Sequence, residues 1–125
     1  MPIIATLTVE DSERRIGWDQ VVLQRISAAQ TGNFSQVLLL DIGTSNENIS
    51  FGDIAPGLLV MYNLDATNFV SYGFASTNKH GRLLPKATAD AEAGMPNFIY
   101  LDNAANLHMQ ADTAACKVKI VAYQA

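Results

Sequence analysis

The sequence predicts an all-β protein, an antiparallel β-sandwich or jelly roll of about eight strands with one long loop at about residues 75–96. Three observations carry that expectation. Short runs rich in β-branched and aromatic residues recur along the whole chain. Gly, Asn, Asp and Pro punctuate them, as turns between strands require. The final run alternates cleanly. Lys117, Lys119, Val121 and Tyr123 share one face; Cys116, Val118, Ile120 and Ala122 share the other. A period of 2 means that one face is solvated.

The elements follow in order. Ile3–Val9 is β-branched and reads as a strand that ends at Asp11-Ser12-Glu13 and Gly17. Val21–Ala29 fits neither period cleanly; strand is preferred because Thr31-Gly32-Asn33 closes it like a hairpin, and a helix over 18–30 is the alternative. Gln36–Ile42 is a continuous apolar run. It reads as buried on both faces, or as buried on one and capped by a partner on the other. Gly43–Asn46 is a turn, and Ile49-Ser50-Phe51 alternates briefly before Gly52-Asp53. After Pro56-Gly57, Leu58–Leu64 carries the strongest strand signal, with Phe69–Phe74 as its expected hairpin partner across Asp65–Asn68. Residues 75–93 lose the pattern and read as a long loop with room for one helical turn. Asn97–Leu101 and Leu107–Ala111 restore it before the last strand.

One echo runs through the chain. Tyr62-Asn63-Leu64-Asp65-Ala66-Thr67-Asn68-Phe69 resembles Tyr100-Leu101-Asp102-Asn103-Ala104-Ala105-Asn106-Leu107. Shared turn chemistry explains it better than duplication, and both segments read as hairpin tips.

A chain of 125 residues suits one domain, whose halves alone would be marginal. The expected organisation is a single β-sandwich domain over residues 1–125, with residues 1–9 as an N-terminal arm or edge strand. Charged residues are only 16% against the usual ~25%. Together with 49% hydrophobic content this excludes a disordered chain and suggests a surface that is partly interface. The net charge of −4 argues against nucleic-acid binding. No run approaches the ~18 apolar residues of a membrane span. The first ten residues lack a basic stretch and a sustained apolar run, so no secretory signal is expected.

Catalytic constellations are missing from the sequence. There is no Gly-x-Ser-x-Gly elbow and no phosphate loop. His108 lies inside an alternating run and reads as a structural histidine; His80 reads as a solvated loop residue. Cys116, the single cysteine, reads as a small buried hydrophobe. No cluster suits a transition metal. Asp65 with Asn68, and Asp102 with Asn103 and Asn106, offer oxygens for calcium, but turn stabilisation explains them without an ion. Neither a cofactor nor a metal is expected, and an enzyme, such as a small glycosidase or isomerase on a barrel, ranks last among the readings.

The residues left for interaction are few. Pro2, Ile3 and Ile4 form an apolar N-terminal stretch suited to strand addition. Trp18 is a core plug, an interface anchor or a platform for sugar stacking. Lys79, His80, Arg82 and Lys86 form a basic cluster; Lys79, Arg82 and Lys86 are its candidates for contact with an acidic partner surface.

The stretch Pro56–Val70, with its Asn63-Leu64-Asp65-x-Thr67-Asn68-aromatic-Val70 core, resembles a segment of small structural proteins of tailed bacteriophages. So does the late Leu107-x-x-x-Ala111-Asp112-Thr113-Ala114-Ala115 stretch that runs into Cys116–Tyr123. Asp41–Ser45 and Ile49–Asp53 are also similar, and the resemblance covers roughly residues 36–125. The chain departs at 75–97, where a longer Asn/Lys/Ala-rich stretch stands. The resemblance implies a non-enzymatic virion protein made in the host cytoplasm: a head decoration or cement protein that bridges capsomers. Its implied partners are the major capsid protein or other virion proteins, and further copies of itself in a homo-oligomer. A neck, tail or fibre-base protein of the same type, and a jelly-roll glycan-binding module, are the alternatives.

Overall fold

The computed structural model describes residues 2–10, 20–29, 35–52, 55–88, 91–101 and 106–124. The chain divides into two compact units, Met1–Thr31 and Gly32–Ala125. The described residues are strands and connections, with no helix among them.

The first unit is an antiparallel hairpin of β1 (Pro2–Glu10) and β2 (Gln20–Ala29). Its ladder pairs Thr6 with Arg25 and Thr8 with Val22, so Leu23 and Gln24 together face Leu7. A bulge of this kind adds one residue and shifts the side-chain alternation by one step. That is why Val21–Arg25 fits no single period, and why the helical alternative for 18–30 gives way to a strand over 20–29.

The second unit holds eight strands in two four-stranded antiparallel sheets. They are β3 (Ser35–Ile42), β4 (Glu47–Asn48), β5 (Pro56–Asn63), β6 (Val70–Gly73), β7 (Gly81–Leu83), β8 (Asn97–Tyr100), β9 (His108–Ala111) and β10 (Cys116–Gln124). Sheet I has the order β3-β10-β5-β8 and sheet II the order β4-β9-β6-β7. The pairings nest: β3 with β10, β4 with β9, β5 with β8 and β6 with β7. One long hairpin, with β6–β7 at its tip, is therefore rolled so that its legs alternate between the sheets. This is the path of a jelly roll.

Two local expectations change. Leu58–Leu64 does not form a hairpin with Phe69–Phe74, because β5 lies in sheet I and β6 in sheet II. The Asp65–Asn68 turn is a corner between sheets. The second echo segment likewise joins β8 of sheet I to β9 of sheet II; its residues 102–105 lie outside the described residues. The expected loop at 75–96 is interrupted by β7, which pairs Gly81, Arg82 and Leu83 with Tyr72, Ser71 and Val70. A three-residue strand shows too little alternation to stand out in sequence. The return to β7 packs against Gly73, where a Cβ would sit 2.1 Å from the Asn78 carbonyl oxygen, so only glycine fits.

The core lies between the two sheets. Ile42, Leu59, Met61, Val118, Ile120 and Ala122 supply the sheet I side; Val70, Leu83, Met109 and Ala111 supply the sheet II side, and all are buried. The alternation expected of the last strand holds, with Cys116, Val118, Ile120 and Ala122 inward. Among the described residues, Gln36 Oε1 is a buried side-chain oxygen without a hydrogen-bond partner, and nothing in the fold explains it.

Candidate functional site

The two motif stretches meet at one corner. Asn63 is buried at the end of β5; its Nδ2 donates to the carbonyls of Asn68 (2.8 Å) and Leu83 (3.1 Å). Its Oδ1 accepts from the amide of Asp65 at 2.9 Å. The Asp65 carboxylate accepts from the amides of Thr67 (2.9 Å) and Asn68 (2.6 Å). These amide hydrogens, Asn68 first, hold the Asp65 carboxyl below its ordinary value. From the second motif, Thr113 Oγ1 donates to Asn68 Oδ1 at 2.7 Å, and the Asp112 amide donates to the Phe69 carbonyl at 3.1 Å. The turn reading of Asp65 and Asn68 therefore accounts for their oxygens; Asp102 and Asn103 lie outside the described residues.

Cys116 packs behind the corner, with Sγ near the carbonyls of Ala114 (3.5 Å) and Asn68 (3.6 Å). Burial, then the charges of Asp65 and Asp112, push its thiol pKa up. His108 is hydrogen-bonded through Nδ1 to Asn46 Nδ2 at 3.2 Å, as suits a structural role. The motif residues and Cys116 thus tie this corner of the sandwich together.

The outer face of sheet II is polar. Register places Arg82, Ser71 and Gln110 in one row across β7, β6 and β9. With Lys79, Ser76, Thr77 and Asp112 they line a hollow of about 390 Å³. Lys79 Nζ donates to the Ser76 carbonyl and to Gln110 Oε1 at 3.3 Å, and Gln110 Nε2 donates to the Thr44 carbonyl at 2.8 Å. The Arg82 guanidinium lies over the Phe69 ring, 4.2 Å from its centroid. Lys79 and Arg82 of the expected basic cluster are thus brought together. Lys86 does not line this hollow; its amide donates to the Asp65 carbonyl at 2.9 Å. His80 is exposed.

The outer face of sheet I has an apolar centre flanked by charge, with Lys117 Nζ 3.9 Å from Asp41 Oδ1 at one end. Val37, Val121, Val60 and Phe98 form one row across β3, β10, β5 and β8. Leu39, Lys119 and Tyr62 form the next. Val37 is 59% exposed and Leu39 64%. A groove of about 520 Å³ runs between these two residues, Tyr62, Leu64 and the Glu92-Ala93 turn, with Lys119 along it. Of the two readings of Gln36–Ile42, burial on both faces is overturned: its core side is covered and its outer side is open.

Pro2, Ile3 and Ile4 lie at the start of β1, opposite Ala29, Ala28 and Ser27 of β2. Trp18 lies outside the described residues. Sequence reasoning missed Ser71 and Gln110, which carry no motif and reach the hollow only through pairing of β6 with β9. It read Val37 and Leu39 only as part of an apolar run.

Comparison with protein-family models, with curated proteins and with solved structures finds no match to this chain.

Proposed function

We propose that the chain is a non-enzymatic structural protein of a phage virion, a decoration or cement protein that seats on the head and bridges capsomers of the major capsid protein. The observation that carries this reading is the apolar outer face of sheet I. A solvated antiparallel sheet normally alternates apolar residues inward with polar residues outward. Here Val37, Leu39, Val60 and Val121 stand outward, and two of them are largely exposed. A contiguous exposed apolar patch of this kind marks an interaction site. The corner motifs support the reading through their resemblance to phage structural proteins. Many copies on one shell turn a modest contact into firm attachment.

The test is direct. Purified protein is expected to co-sediment with expanded capsids of the phage that encodes it and to raise their melting temperature; absence of both effects overturns the proposal. Copies per particle then place it, with hundreds meaning head and a few to tens meaning neck, tail or fibre base.

The polar hollow on sheet II favours a second reading, a glycan-binding module. Arg82, Ser71, Gln110 and Asp112 supply donors and acceptors around Phe69, a mixture suited to sugar hydroxyls. A glycan array without hits removes that reading.

A further inference from the structure

The sandwich has four sheet edges, and they are unequal. β4 has two residues, β7 three and β8 four, the last directly after Pro96. Short edges and a flanking proline are the ordinary means of preventing strand addition. β3 ends sheet I with eight residues, and its register with β10 is unbroken from Ser35 to Ile42. It carries no proline, no lysine and no bulge, and its one charge, Asp41, lies near its end.

The direction of its free groups follows from the pleat. The Lys117 carbonyl accepts from the Leu64 amide at 2.8 Å, so Lys117 turns its backbone groups toward the β5 side of β10. Alternation along β10 then turns Val118, Ile120 and Ala122 toward β3, where they face Leu40, Leu38 and Gln36. The intervening residues Ser35, Val37, Leu39 and Asp41 direct their amides and carbonyls away from β10, at the open edge.

We infer that β3 is a self-association edge: two copies of this chain join β3 to β3 in antiparallel fashion about a twofold axis, making one continuous eight-stranded sheet. The register is set by the side chains. Centring the axis on Leu38 places Val37 opposite Leu39 of the second copy, and Ser35 opposite Asp41. Every outward pair is then apolar with apolar or hydroxyl donor with carboxylate, and no like charges face each other. All four open-edge residues form hydrogen-bonded pairs, giving about eight ladder bonds. Centring on Leu39 instead sets Asp41 against Val37 and leaves Ser35 unpaired. A twofold strand pair closes on itself, so the association stops at two copies. The row Phe98-Val60-Val121-Val37 continues into Leu39, Lys119 and Tyr62 of the second copy, doubling the apolar face of sheet I. The inference stands whether or not the chain decorates a capsid.

Light scattering of the full chain is expected to give twice the 13.5 kDa chain mass. Leu39→Pro removes one donor at the open edge and none bonded to β10, so it should return the monomer with its β-type circular dichroism retained. Val37→Lys should do the same without altering the backbone. Separate Val37→Cys and Leu39→Cys proteins should form a disulfide-linked dimer only when mixed, because hydrogen-bonded pairs lie about 5.5 Å apart and the self-pairs of either position lie beyond the ~7 Å reach of a disulfide. A monomer for the unaltered chain overturns the inference, as does an assembly that Val37→Lys leaves intact. Cross-linking of either cysteine variant alone overturns the register.

Discussion

The two outer faces of the sandwich share one core and one set of corners, yet they differ in kind. Outward from sheet II stand Arg82, Ser71 and Gln110, a row that water satisfies. Outward from sheet I stand Val37, Val121 and Val60, a row that water does not. Burial of Ile120, Met61, Val70 and Met109 between the sheets stabilises the sandwich. The difference therefore lies in what the chain presents: one flank offers water an apolar row, the other a polar one.

Four experiments break or sharpen that contrast. The largest effect is expected from Asn63→Ala, which strands the buried Leu83 carbonyl and frees the corner. A loss of about 3 kcal/mol, read by urea unfolding, follows from orphaning buried partners. Both faces should fail in one transition; two separate transitions would show that the sheets unfold independently and would dissolve the comparison. Next is Leu39→Asp. If the side chain is buried against the shell, capsid affinity should fall at least tenfold, from the ~2 kcal/mol of a lost apolar contact, while thermal stability barely changes. An unchanged affinity would remove sheet I as the docking side.

The third experiment is pH. Asp65 has a folded pKa below its unfolded value, so its stabilisation is present above about pH 4 and is lost as the pH falls through the folded value. Urea midpoints at pH 6, 4 and 3 should therefore decline more steeply for the native chain than for Asp65→Asn. The smallest effect is expected from Arg82→Ala, which removes the stacking on Phe69. It should cost less than about 1 kcal/mol and leave capsid binding within twofold; a large binding defect would move the interface to sheet II.

The strands themselves were legible because Leu58–Asn63 and Cys116–Tyr123 carry their own apolar pattern. Asx-turn chemistry at Asp65 was legible for the same local reason. The pairing was not: β3 meets β10 across some seventy intervening residues, and nothing in Leu58–Leu64 says that its neighbours are Asn97–Tyr100 and Cys116–Gln124 rather than Phe69–Phe74. β4 is the polar pair Glu47-Asn48, defined only by its contact with β9. The short Ile49–Phe51 alternation lies just past it, where the Ile49 amide donates to the Leu107 carbonyl. The hollow on sheet II was hidden because Ser71, the Lys79–Arg82 cluster and Gln110 come from three separate stretches. The open side of β3 was hidden because Val37 and Leu39 look like core residues until their register shows which way they point.

The tie between Asn68 and Thr113 has an evolutionary reading. It clasps two bends of the chain path far apart in sequence, so a change at one of these positions invites a compensating change at the other. Neither residue belongs to either presenting surface. A lineage can hold this clasp constant while exchanging what it displays on each flank.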